Sequence, residues 1–157
     1  MKLNNKGFTV VELLASFTLT MIITTLLFEV VLELKNIYVS SELETSIKNE
    51  NALIAREINS QINNGNIPVE CGGSTCTLLD GKQITITSNQ SVKVGNKNFE
   101  MPEGAYINDD YIISSNCSDD SSLSPGEENC YLKVAYTVTS ENFSDDVLFN
   151  LVSSYLG

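Results

Sequence analysis

Histidine is absent from this chain, and so is tryptophan. Without imidazole no side chain has an ordinary pKa near neutrality for general-base work, and the commonest metal ligand is missing. No glycine-rich phosphate loop and no Cys-x-x-Cys pair occurs either. The carboxylate pairs lie in polar loops, without the apolar surroundings that set one acid apart from its neighbour for catalysis. These absences read against an enzyme and against a bound cofactor. Proline is scarce, with 3 in 157 residues and none before Pro68, so no ring interrupts a helix ahead of it. Basic residues number 9 against 20 acidic ones, a net charge of −11. Such a surface does not attract phosphates, so direct nucleic-acid binding is disfavoured. Lys82, Lys93 and Lys97 are the only obvious nucleus of a basic patch, and solvated strand faces are the preferred account of them.

What is present begins at the N-terminus. The segment Met1-Lys2-Leu3-Asn4-Asn5-Lys6-Gly7 has only positive side-chain charge. From Leu13 to Phe28 there is no charge, no proline and no glycine. Phe8 to Phe28 makes about 31 Å of helix, which matches a hydrocarbon core of about 30 Å. Lys2 and Lys6 set the orientation, with the N-terminus cytoplasmic and the remainder exported, in a single-pass arrangement. A secretory signal peptide would need a small-residue cleavage site after the apolar run. Phe28-Glu29-Val30-Val31-Leu32-Glu33 offers none, and no lipobox-like cysteine follows. Within the apolar stretch stands one carboxylate, Glu12, with no cationic side chain beside it. An ionisable residue in a spanning helix is costly and points to function. The plain alternative is a signal anchor whose Glu12 lies near the inner headgroups.

The order Lys6-Gly7-Phe8-Thr9-Val10-Val11-Glu12-Leu13-Leu14 resembles the processing site of type IV prepilins and pseudopilins. The resemblance implies that a membrane prepilin peptidase cuts after Gly7 and N-methylates Phe8. Glu12 is then the acidic fifth residue of the mature chain, used in assembly. Its implied partner is the α-ammonium of a neighbouring subunit, created by the cut. A buried charge pair of this kind need not add net stability. It penalises wrong axial registers, which leave both charges unpaired. The resemblance also implies other pilin or pseudopilin subunits, an inner-membrane assembly platform and membrane lipid as partners, with a final place in an extracytoplasmic filament. Many major pilins carry a proline partway along the apolar helix, and this chain does not, so kinking at such a residue does not carry over. Glu42 to Ile62, with Ala55-Arg56-Glu57-Ile58 followed by strands, is similar to the J-type minor pseudopilins and their competence counterparts. The expected role is therefore a minor structural subunit serving secretion, DNA uptake, motility or adhesion. Glu12 reads against the extreme tip position. The alternatives are a pilus-borne adhesin or uptake receptor that uses the 117–130 loop, and an unprocessed bitopic membrane protein.

Four segments are expected: a leader, 1–7; a transmembrane and filament-core helix, 8–33; an amphipathic exported half of that helix, 34–65; and a β-rich domain, 66–157. Leu43, Ile47, Ile54, Ile58 and Ile62 recur at helical steps. The helix should stop at Asn63-Asn64-Gly65, where glycine takes a left-handed cap. Continuous from Phe8 to Asn64, it would run on the order of 85 Å; the alternative is a break near Val39-Ser40-Ser41. Strands are expected over 76–101, with Asp80-Gly81 turning one hairpin and Gly95-Asn96 the next. Tyr131 to Thr139 alternates as a strand. Leu148, Leu151, Val152 and Tyr155 fit a last strand or a short helix. The fold class is α+β: the long helix packed on a small antiparallel sheet.

The four cysteines allow three pairings. Cys71–Cys76 with Cys117–Cys130 is preferred, because both enclosed segments are flexible and the exported side is oxidising. Closing the longer loop contributes about 3 kcal/mol in the chain-entropy model. Zinc is the rival for these cysteines, opposed by the missing histidine and by the spacing. Asp109, Asp110, Asp119, Asp120, Glu127 and Glu128 could supply calcium oxygens, but they lack EF-hand spacing. No metal site is assigned.

Overall fold

A computed structural model describes residues 9–87, 90–117, 130–141 and 146–155. Among the described residues one helix, α1, runs Val10–Asn63, and nine strands follow it. The chain forms two compact units, Met1–Val39 and Ser40–Gly157. Helical hydrogen bonding continues through Val39-Ser40-Ser41, so the break held open there does not occur. The unit boundary nevertheless falls within that tripeptide.

In the first unit the large apolar side chains from Val10 to Val39 are 42–77 % exposed. Among the described residues of their own unit they have nothing to pack against. One helix near the N-terminus is thus long and apolar enough to cross a membrane.

The second unit holds the core. Ile47, Ile54, Ile58 and Ile62 are buried along one face of α1, and Leu43 packs against them in part. This face meets two antiparallel sheets, where a single sheet was expected. The first is β1 (Pro68–Gly72), β2 (Thr75–Leu78), β3 (Gln83–Thr87), β4 (Ser91–Val94) and β5 (Lys97–Glu100), each paired with the next. The second is built on β8 (Cys130–Ser140). It pairs with β6 (Ala105–Ile107), β7 (Ile112–Ser115) and β9 (Val147–Tyr155). Strands β1, β6 and β7 lie outside the predicted strand segments. β1 opens on Pro68, a residue that a strand tolerates at its first position. β6 and β7 are three and four residues long, too short for alternation to mark them.

The helix ends as its sequence dictates. Gly65 has φ +83°, Gly65 N–H donates to Ile62 O at 3.0 Å and Asn66 N–H donates to Gln61 O at 3.1 Å. Those two bonds are the Schellman closure, and the left-handed residue within it favours glycine. Side chains extend the anchorage. Asn66 donates to Gln61, Gln61 donates to Glu57, and Lys97 of β5 donates to the other Glu57 oxygen. Lys97, then Gln61, hold the Glu57 carboxyl below its ordinary range. This tie therefore stabilises the fold above that range and is lost as pH falls through the depressed value.

Both predicted hairpins form. Lys82 N–H donates to Asp80 Oδ1 at 3.0 Å across the first turn, and Leu78 N–H donates to Lys82 O at 2.8 Å. In the second, Val94 pairs with Lys97 around Gly95, whose φ is +59°. The left-handed backbone there favours glycine, and a Cβ would lie 2.9 Å from Lys82 Cδ, so that flexible side chain would have to move aside. On β8 the alternation is kept: Leu132, Val134, Tyr136 and Val138 are buried. β9 is a strand, but its period of two separates the residues that suggested it. Phe149, Leu151 and Ser153 turn inward, while Leu148 and Val152 are exposed. Tyr155 closes the strand opposite Cys130.

One buried polar pair fixes helix against sheet. Asn51 lies on the isoleucine face, 7 % exposed, and accepts a 2.8 Å hydrogen bond from the Tyr136 hydroxyl. Tyr136 stacks on Phe149 with ring centroids 4.5 Å apart. Burial, then the Glu50 carboxylate, push the phenol's pKa upward, so it remains a donor. Replacing Tyr136 with Phe keeps the stack and leaves the Asn51 amide unpartnered in the core. The expected loss is about 1–3 kcal/mol of unfolding free energy. Denaturant titration checks it, and Asn51→Leu placed on top of Tyr136→Phe should recover part of the loss.

Candidate functional site

The start of α1 explains itself through two side chains. Thr9 is the N-cap and Glu12 stands three residues on, the Thr-x-x-Glu pattern of a capping box. Glu12 N–H donates to Thr9 Oγ1 at 3.3 Å, while Thr9 N–H and the Thr9 hydroxyl each donate to Glu12 Oε2 at 3.0 Å. Leu13 N–H to Thr9 O, 3.1 Å, is the first helical bond. The carboxylate is therefore drawn back over the positive end of the helix dipole, where an anion is favoured. Sequence reading singled out Glu12 and missed Thr9, although the box spacing is itself the signal for it.

Further along, hydroxyls follow Glu12 at steps of four. Ser16 donates to Glu12 O at 2.6 Å, Thr20 to Ser16 O at 2.7 Å and Thr24 to Thr20 O at 2.8 Å. Thr18 and Thr25 likewise donate to carbonyls of the preceding turn. The hydroxyls of Ser16, Thr18, Thr20, Thr24 and Thr25 are each satisfied by their own helix, a condition for contact with lipid. Gly7 and Phe8, the residues of the expected cut and methylation, lie outside the described residues.

The cysteines fall into two pairs at bonding distance. Cys71 and Cys76 are cross-strand neighbours on β1 and β2, with Cα atoms 4.0 Å apart. Cys117 follows β7 and Cys130 opens β8, with Cα atoms 5.0 Å apart. The second pair closes 118–129, which lies outside the described residues and takes with it Asp119, Asp120, Glu127 and Glu128. Asp109 and Asp110 are near the end of β6, and among the described residues no three metal-ligating side chains come together. Peptide mapping without reduction should join Cys71 to Cys76 and Cys117 to Cys130; a Cys76–Cys117 peptide would contradict this strand order. Cutting the second crosslink with Cys117→Ser and Cys130→Ser together is expected to cost about 3 kcal/mol of unfolding free energy.

The three lysines do not form a patch of free cations. Lys82 pairs with Asp80 at 2.6 Å, and Lys97 pairs with Glu57. Lys93 shares with Lys82 and Asp80 a shallow depression between the two hairpin turns.

No family model, no curated protein and no solved structure matches this chain.

Proposed function

We propose that this protein is a structural subunit, of the minor kind, of a type IV pilus-like or pseudopilus filament, cut after Gly7 and assembled through its N-terminal helix. The observation that carries the reading is one junction. Lys6-Gly7-Phe8 leads into a helix that opens at Thr9 with Glu12 in its first turn and then presents an unpartnered apolar surface up to the compact α+β unit. A free helix of that composition needs lipid before assembly and other helices after it. Between Phe8 and Phe28 Glu12 is the single side-chain charge that such a bundle must match, and the new Phe8 ammonium of a neighbour is its natural counterpart. The prepilin peptidase, sister subunits and the assembly platform are the partners this reading requires, and the α+β unit is exported.

The capping box favours a second reading, an unprocessed bitopic protein. Thr9 satisfies the Glu12 carboxylate within the chain, so a plain anchor could carry this glutamate without any partner. Intact-mass measurement of the membrane-extracted protein separates the two. The filament reading expects a chain that begins at methylated Phe8. Met1 still attached in cells with an active prepilin peptidase would sink it.

A further inference from the structure

Sheet edges expose unpaired N–H and C=O groups, and natural proteins blunt them with charge, proline, a bulge or shortness. The two sheets treat their edges differently. β5 ends the first sheet with four residues that include Lys97 and Glu100. β9 has nine residues and carries no charge, no proline and no glycine. Among the described residues it pairs with β8 alone. Its outer face presents Leu148 at 68 % exposure and Val152 at 61 %, with exposed Asn150 between them.

We propose that β9 is a homotypic docking edge, pairing antiparallel with β9 of a second copy of this chain in the register that sets Asn150 against Asn150. The strand is complementary to itself there. Leu148 of each copy lies opposite Val152 of the other on the outer face, and Phe149 lies opposite Leu151 on the inner one. Moving the centre of symmetry by one residue sets Leu148 against Asn150 or Ser154 and breaks up both outer apolar pairs. The self-complementary register selects a second copy as the occupant. Two copies that each carry −11 repel over most of their surface, and β9 is a place where they can meet without setting one carboxylate against another. Stable interfaces bury about 1,200–2,000 Å². One strand edge supplies less, so the contact is weak in dilute solution and becomes effective where both copies are held on one membrane. This pairing is independent of the filament reading, since it needs neither the cut at Gly7 nor the charge of Glu12.

Cysteine crosslinking of the full-length chain in its membrane tests the register. Asn150→Cys stands opposite itself, with Cα atoms roughly 5 Å apart across the ladder, within disulfide reach. Leu148→Cys is roughly 14 Å from its own counterpart. Under mild oxidation Asn150→Cys should give a disulfide-linked dimer that wild type lacks. Leu148→Cys alone should stay monomeric and form the dimer when co-produced with Val152→Cys. Adding Val152→Lys to Asn150→Cys should abolish the dimer while the native disulfide map stays unchanged, which verifies the fold. The proposal is overturned if Asn150→Cys remains monomeric, if Leu148→Cys links to itself as readily, or if Asn150→Cys links to a different polypeptide.

Discussion

Glu12→Gln is expected to insert and be processed normally and to be nearly lost from sheared filaments. Glutamine retains the N3 side chain that a capping box accepts, so the helix start survives while the charge is gone. Membrane levels should not fall, because a neutral residue suits a spanning helix better than a carboxylate. Under the filament reading proposed above, assembly is where the loss belongs, since the neighbouring Phe8 ammonium would be left buried without its partner. Truncating one side of such a pair weakens association by roughly a hundredfold or more. Glu12→Val removes the box together with the charge, and Thr9→Val removes the N-cap hydroxyl but keeps the charge. The three variants divide the two roles. If register is the work of the charge, Gln and Val both abolish filaments and Thr9→Val is the mildest. If the helix start alone matters, Glu12→Gln assembles like wild type, and the central mechanism proposed for this protein is wrong.

Ile54→Ala should destabilise the second unit by about 2–5 kcal/mol, the cost of a cavity where the site collapses only in part. Ile54 is fully buried on the helix face that the sheets cover. Its neighbour Leu53 is 49 % exposed, and Leu53→Ala should change little. Thermal unfolding of the detergent-solubilised chain, monitored through the β signal, checks the pair. Folded domains are stable by only about 5–15 kcal/mol, so the Ile54 change is a large fraction of the total. Equal behaviour of the two variants would mean that α1 does not carry the sheets.

Much of the candidate site could be read from the chain because its determinants are local. The Lys6-Gly7-Phe8 junction, the charge-free run and Glu12 need only their order and spacing along the sequence. The Glu12 side chain itself shows the limit of that reading. A carboxylate without a cation nearby suggested a group waiting for an external partner, whereas Thr9, three residues away, already holds it. The same box pattern also marks an ordinary helix start, so residue type alone did not separate the two roles.

The helix, its stop at Gly65, both hairpins and the alternation of β8 were set by the sequence itself, because each rests on residues fewer than a dozen positions apart. Tertiary structure decided the rest, where long-range contact outweighs local pattern. Asn51 fills the gap that the seven-residue step from Ile47 to Ile54 leaves in the apolar stripe. Sequence could not assign a polar residue to the core without its partner, Tyr136, which is 85 positions away. The division into two sheets followed the same logic: β6 and β7 are too short to signal themselves and become strands because β8 offers both of them one edge. On β9, Leu148, Leu151, Val152 and Tyr155 fitted a strand or a short helix equally, and the register with β8 made a strand and gave its inner face to Phe149 and Leu151. A period of two leaves open which half of a strand is buried, and only the neighbouring strand and helix decide it.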